Sequence, residues 1–407
     1  MEVIFPYGKS KLGIDIPEKN ILEIVEANEI SIKNEEEIIE NAIDREKLKK
    51  FKGKIAIVVD DKTRPCPTKK ILPYISEELK GEIKIIFATG THEPVNEKEA
   101  FDLLGKAAEE YEWISHSQNA EFVDLGKTKF GTPLFLNSEF MKADVKILLG
   151  DIEYHYFAGY GGGRKSVLPG VASEKTIEIN HQRMFHENSR FGILDGNPVS
   201  DDMENAADIA GIDLCFNVVM NSRHEIVGAF SGEHKKVLRE GAKLVDKMYK
   251  VEVSQMADAA IIAADGYPHD INLYQAMKAI QTVVGVVKEG GSIFLIAECS
   301  EAHGSKKFYD EIGKYKNSNE VKEDLLKKFI MGKHKVYYML KACEKFKIYM
   351  VTKMSEEMVS HFRMKKIEEN EIMGQIHKNH GRDAKIIASP NASTTLVTLT
   401  VFPKVKI

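Results

Sequence analysis

Two rhythms of apolar and polar positions alternate along the chain. Short apolar runs of β character, Lys54-Ile-Ala-Ile-Val-Val59, Ile83-Lys-Ile-Ile-Phe-Ala88 and Val145-Lys-Ile-Leu-Leu149, are each closed by a polar segment. Stretches of helical spacing separate them, at 68–80, 96–110 and 171–187. Residues 1–16 alternate around Gly8 and Gly13 as a hairpin would, and 35–51 has the spacing of a helix. A second hairpin is predicted from Cys215–Met220 and Glu225–Phe230, with helices opening at Asn197-Pro198 and spanning 232–250. The register then changes near 251–256. Further apolar runs at 259–264, 292–297, 347–351 and 384–388 are separated by helical stretches, among them a long charged one at 305–345. Strands separated by helices predict βαβ units and mainly parallel sheets. The expected fold class is therefore α/β, with two α/β domains and an active-site cleft between them. Residues 1–254 are expected to form the N-terminal domain and 255–388 a Rossmann-like C-terminal domain. For the tail 389–407 the pattern leaves packing against the first domain open.

In open parallel sheets ligands bind outside the carboxyl ends of the strands. The first three runs deliver Asp60-Asp-Lys-Thr-Arg-Pro65, Thr89-Gly-Thr-His-Glu-Pro94 and His155-Tyr-Phe-Ala-Gly-Tyr-Gly-Gly-Gly-Arg-Lys165 to one such edge. Three loops rich in Asp, Arg, Thr, His and Lys converging on one edge make a site.

Composition narrows the partners. With a net charge of −5 the chain has no electrostatic case for nucleic acid. Four scattered cysteines, Cys66, Cys215, Cys299 and Cys343, form no C-x-x-C pair, which favours reduced thiols over a disulfide framework or zinc ribbon. No apolar run reaches the roughly 18 residues of a membrane span, and Met1–Gly8 lacks the pattern of a secretory signal. A cytoplasmic protein with no membrane partner is expected.

Three chemistries are open at the predicted edge. Gly159-Tyr-Gly-Gly-Gly-Arg-Lys165-Ser166 nearly spells a phosphate loop, but Arg164 stands where the second required glycine would let the loop wrap a triphosphate. Phosphate held by backbone N–H groups without hydrolysis stays compatible. His92, His155 and His181 could form a three-histidine zinc site, though no H-E-x-x-H supports it. Two of these histidines could instead act as acid and base on opposite faces of one carbon, as racemisation needs. Arg64 would then suit a planar carboxylate, unless Asp60 or Asp61 pairs with it. His116 and His224 read as loop or strand-end residues, His269 as a possible cleft residue, His334 as the start of a solvated helix and Trp113 as structural.

The set DDKTRP, ATGTHEP, HYFAGYGGGRKSVLPG, His181 and Tyr274-Gln275-x-x-Lys278 resembles the nickel-dependent lactate racemase family, in order and spacing, over residues 60–278. The resemblance implies racemisation of a 2-hydroxy acid, lactate first and malate as an alternative, through a 2-keto acid. It implies a nickel-pincer nucleotide, a pyridinium-3-thioamide-5-thiocarboxylic acid mononucleotide, bound covalently to Lys165, with His181 as nickel ligand and Asp61 beside the cofactor. His92 and His155 would be the acid–base pair. Arg64, Tyr274, Gln275 and Lys278 would hold the substrate. It also implies transient dealings with the proteins that make the cofactor. A zinc hydrolase and a non-catalytic nucleotide- or metal-binding protein are the alternatives from other classes. An aromatic that some members place over the substrate has no assignable counterpart here.

Overall fold

The computed structural model describes residues 1–330 and 332–400. It divides into two compact units, Glu29–Met248 and a second made of Met1–Asn28 with the chain from Tyr249 onward.

The first unit is built on a six-stranded sheet in the spatial order Ile226–Gly232, Leu214–Met220, Val145–Asp151, Lys54–Val59, Glu82–Phe87, Glu112–Ser115. Every neighbouring pair is parallel except the first, which is the expected hairpin. The central strand is buried along its length after Lys54, which is why it reads as an unbroken apolar run rather than an alternating one. One face of the sheet packs Ile55, Ile57, Val59, Ile85, Phe87, Ile147 and Leu149 against the helical residues Ile71, Leu72 and Ile75. A buried side chain of this kind contributes about 1.5–3 kcal/mol. The helix expected after Asn96 forms as Glu97–Leu104, with Asn96 and Glu99 making a reciprocal capping box.

The second unit also has a six-stranded, all-parallel sheet. Its order is Lys365–Lys366, Lys347–Val351, Val287–Ile296, Ala257–Ala263, Ile386–Ser389, Ile21–Ile24. The last of these strands corrects the expected boundary. Residues 1–28 were predicted to belong with the first domain, but Ile21–Ile24 pairs with Ile386–Ser389. The Asn20 amide donates to the carbonyls of Arg382 and Ala384, both at 2.9 Å. The hairpin Glu2–Tyr7/Ser10–Asp15 forms as predicted, and its Val3, Phe5, Ile14 and Ile16 pack into the core of this unit beside Ile261, Phe294 and Ala388. The tail follows the same unit: Leu396–Leu399 pairs in parallel with Lys250–Val253. Residues 401–407 of the predicted tail lie outside the described residues. The long charged stretch 305–345 resolves into three helices, Lys306–Ile312, Ser318–Lys327 and Lys333–Lys345. Among the described residues no helix is long and apolar enough to cross a membrane.

Candidate active site

The strands Lys54–Val59, Glu82–Phe87 and Val145–Asp151 are adjacent and parallel, with Val59 opposite Phe87 and Val58 opposite Leu148. Their carboxyl ends therefore release the three polar loops side by side, as the sequence predicted.

The first two loops meet directly. His92 Nδ1 lies 2.7 Å from Asp61 Oδ2. Asp61 is buried, and its other oxygen accepts from the Thr63 backbone N–H at 2.9 Å and from the Thr63 hydroxyl at 2.5 Å. Burial pushes the Asp61 carboxyl up, but the bonds from His92 and Thr63 outweigh it and leave the group below the ordinary range. A carboxylate at Nδ1 sets that nitrogen as the donor and leaves Nε2 of the neutral ring with its lone pair. The His92 side chain is 46% exposed, so this basic nitrogen belongs to a residue that solvent and ligand can reach.

The glycine segment is a compact knot rather than an open loop. Tyr154–His155 pairs antiparallel with Gly159–Tyr160, and a short 3-10 turn follows at Gly163–Ser166. Arg164, wholly buried, ties the knot. Its guanidinium donates to the carbonyls of Ala158 (2.9 Å), Tyr160 (3.3 Å) and Gly162 (3.3 Å) and to Ser200 Oγ (3.0 Å). Burial without a paired carboxylate lowers its pKa to about 10. Gly159 sits at φ +79°, and a Cβ there would stand 2.0 Å from the Ile193 carbonyl oxygen. Asn217, on the neighbouring strand Leu214–Met220, accepts from Gly163 N–H at 2.9 Å and fixes the far end.

This knot presents Lys165 and His155, and Phe157 carries the arrangement on to His181. The ring centroids of His155 and Phe157 are 4.5 Å apart, and those of Phe157 and His181 5.0 Å. His181 is the last residue of the helix Glu174–His181, which Ser173 caps. The following turn is held by the fully buried Asp202, which accepts from Asn180 Nδ2 (2.9 Å), Arg183 Nε (3.2 Å), Thr128 (2.6 Å) and Thr132 (2.7 Å). These bonds fix the backbone that carries His181.

The electrostatics follow from the crowding. Burial, then the positive charge of Arg64 and more weakly that of Arg164, drive the Lys165 ammonium well below its ordinary range, although Glu153 and Asp60 pull the other way. Among the described residues no carboxylate lies within ion-pair distance of Lys165. Burial, with Lys165 second, holds the His181 ring neutral, its pKa lowered to about 3. His155 is likewise lowered far below the usual histidine range by burial, Lys165 and Arg64. Its Nδ1 accepts from Ala158 N–H at 3.2 Å, so the neutral ring carries its proton on Nε2, opposite in sense to His92.

Arg64 pairs neither with Asp60 nor with Asp61; its partner is Glu153 at 3.0 Å. Asp60 instead packs with Cys66 and Asp151 in a cluster whose ligand atoms lie within 4.8 Å of one another. Burial raises the Asp60 carboxyl to about 6 and pushes Asp151 and Cys66 well above their ordinary values. Among the described residues the only other such group is Asp208, Glu233 and His234. Among the described residues His92, His155 and His181 do not form a group whose ligand atoms lie within 4.8 Å of one another. Glu153 is a neighbour of the motif residues that the motif reading missed; it lies two residues before His155, and its spacing alone carried no signal.

In the second unit, Asn272 accepts from Gln275 N–H and opens the short helix Leu273–Ala276, which carries Tyr274 and Gln275. Lys278 begins the next turn, Lys278–Gln281. The Lys335 ammonium donates to the Tyr274 carbonyl and stands 3.4 Å from the centroid of the Tyr274 ring. His116, expected as a loop or strand-end residue, directly follows the strand Glu112–Ser115 and is buried in the core. Its ring meets Asn137 Nδ2 at 3.1 Å and the Ala172 carbonyl at 3.1 Å, and burial lowers its pKa to about 4.

Comparison with known proteins places this geometry. Residues 7–192 match the lactate racemase N-terminal domain family and residues 252–397 the lactate racemase C-terminal domain family. The chain is 35% identical to a lactate racemase of Thermoanaerobacterium thermosaccharolyticum over 79% of its own length and 80% of that protein's. It is 32% identical to the lactate racemase of Lactiplantibacillus plantarum, over 75% and 77%. The lactate racemase apoprotein structure from T. thermosaccharolyticum superposes with a TM-score of 0.90 at 30% identity, covering 98% of this chain and 100% of that one. A Thermotoga maritima protein shares the fold at a TM-score of 0.66 and 17% identity. The order of the motifs, the two parallel α/β units and these matches over most of the chain agree, and the chain belongs to the lactate racemase family.

Proposed function

We propose that this protein interconverts the D and L forms of a 2-hydroxy acid, with lactate as the first substrate and malate as the alternative, through a 2-keto acid. The observation that carries the reading is the gathering of His155, Lys165 and His181 in the first unit, with the Asp61–His92 pair on the neighbouring strand ends. The implied cofactor, a nickel-pincer nucleotide, suits the residues present. Lys165 is a lysine whose proton is loosely held and which has no carboxylate partner among the described residues, the state in which an amine acts as a nucleophile. His181 is held as neutral imidazole, the form that ligates nickel. Lys165 would anchor the nucleotide and His181 would supply a metal ligand. When bound, the cofactor supplies a reversible acceptor for the substrate's α-hydrogen.

The protein's own residues do the rest. His92 Nε2 takes the hydroxyl proton of one enantiomer, while Asp61 holds Nδ1–H and stabilises the cation that forms. His155 serves the other face: its Nε2 must exchange its proton, so the bond from Ala158 N–H to Nδ1 has to loosen during turnover. Arg64 receives the substrate carboxylate in place of Glu153. Tyr274, Gln275 and Lys278 contribute further contacts to the carboxylate and hydroxyl. The cofactor comes to the chain from the proteins that make it.

The test is a chiral assay. Cofactor-loaded protein incubated with pure D- or L-lactate, and in parallel with D- or L-malate, is expected to yield the other enantiomer, with nickel in the protein and a nucleotide adduct on Lys165 by intact mass. His92→Ala and His155→Ala should each abolish racemisation, and Lys165→Ala the adduct. Full racemisation by nickel-free protein would overturn the reading.

A further inference from the structure

The helix Lys333–Lys345 begins against the usual electrostatic preference. Helix N-termini favour acidic residues, because their free N–H groups leave about half a positive charge there. This helix has none in its first turn; it opens instead with Lys333, His334 and Lys335, and Gly332 before it supplies no side-chain cap. All three basic residues are buried. Lys333 is compensated by Asp324 and by Glu311 at 3.4 Å. Lys335 is not. It is 6% exposed, and among the described residues no carboxylate pairs with it. Its contacts are the Tyr274 carbonyl and the face of the Tyr274 ring. Burial first, and then the charge of Lys278, push its ammonium well below the ordinary lysine range.

A buried charge with no counter-charge is costly to keep, and an apolar side chain of the same length would fold more readily there. A buried ammonium is therefore informative when it sits at the positive end of a helix, beside a second lysine, against the tyrosine of the Tyr274–Lys278 segment. The local field is positive from three sources, and the missing partner is an anion. We infer that Lys335 is the second cation of a carboxylate subsite built on Tyr274 and Lys278, holding the 2-hydroxy acid's carboxylate together with exposed Lys278. The inference rests on the proposed reading in one respect only, that the anion is the substrate's. Lys335 also fixes Tyr274 through its carbonyl and ring face, so the subsite is positioned before an anion arrives.

The experiment uses the full chain in two forms. Without cofactor, thermal unfolding is followed with sodium lactate, sodium malate, and sodium chloride at matched ionic strength. Wild-type protein should be stabilised by the carboxylates beyond the chloride control. Lys335→Met, which keeps the length and removes the charge, should fold with a midpoint equal to or above the wild type and lose the carboxylate-specific shift. Lys335→Arg should keep part of it. With cofactor, Lys335→Met should raise KM about tenfold with a smaller change in kcat, the loss expected for one charge-assisted contact. A Lys335→Met protein that unfolds earlier yet keeps the carboxylate shift and KM would overturn the inference and leave a structural lysine. Absence of any carboxylate shift in the wild type would overturn it as well. If racemisation fails while the Lys335-dependent shift persists, the proposed activity falls and the anion subsite stands.

Discussion

Asp61 and His92 form a pair in which a hydrogen bond sets which ring nitrogen carries the lone pair. With Nδ1 held 2.7 Å from a buried carboxylate, the ring cannot turn its lone pair inward without leaving Asp61 unpartnered on that oxygen. Asp61→Asn keeps a hydrogen-bonding oxygen and removes the charge, so kcat for racemisation should fall about 100-fold, within the range for general-base effects. The fold should be retained, with a thermal midpoint within a few degrees of wild type. An unchanged kcat in a stopped-time chiral assay would mean that Asp61 only fills space. At this scale the sequence was readable where a motif carried the residue. His92, His155, Lys165, His181 and Arg64 stood in recognisable segments, and the fold brings His155, Lys165, His181 and Arg64 within electrostatic reach of one another. Partnerships were less legible. Arg64 has three carboxylates within reach in sequence or space, and only the fold decides that Glu153 takes it.

The glycine knot shows how an element is made specific by atoms that no motif names. A phosphate-loop pattern expects flexible backbone around a ligand. Arg164 instead spends its guanidinium on four acceptors of its own neighbourhood and closes the segment on itself. Glycine at 159 is required by close approach as well as by φ, since any Cβ would meet the Ile193 carbonyl at 2.0 Å. Gly159→Ala should therefore cost about 2–4 kcal/mol, more than the usual glycine-to-alanine gain can offset. Differential hydrogen exchange should locate the loosening in residues 154–166. The helix bearing His181 depends on Asp202 in the same way. Asp202→Ala removes one acceptor from Arg183, Asn180 and two threonines at once, and should cost about 3–5 kcal/mol in urea unfolding. A cost below 1 kcal/mol would show that water replaces the carboxylate. Neither dependence was visible in sequence: Gly159 meets the backbone carbonyl of Ile193, and Asp202 gathers partners as distant as Thr128, so only the fold brings each set together.

For the whole molecule, local patterning reported which segments are strands and failed to report which sheet each joins. The N-terminal hairpin was legible as a hairpin, yet Ile21–Ile24 closes a sheet whose next strand lies more than 360 residues away in the chain. Nothing in a short apolar run encodes that distance. Burial of polar groups is a second property of the whole fold, and it sets the acid response. His116, His181 and His155 are all held neutral, with His116 lowered to about 4 and His181 to about 3. An unfolded chain titrates these rings near 6.5. Above that pH both states are neutral and the groups give full stability. As pH falls below about 6.5 the unfolded chain takes up protons that the folded chain refuses, so stability is lost progressively down to the folded value. Asp60 acts in the opposite sense. Its folded value is raised to about 6, so it favours the folded state at low pH and loses that contribution as pH rises through its folded value. The net curve mixes the two, and a variant isolates one. His116 lies apart from the proposed catalytic groups, between Asn137 and the Ala172 carbonyl. His116→Gln keeps polar atoms there and removes the titration. Its deficit in urea unfolding free energy relative to wild type should shrink between pH 7.5 and pH 4.5 by about 2.5 kcal/mol. A deficit that stays constant over that interval would mean the buried ring takes up its proton as readily as an exposed one, and that the core around it admits water.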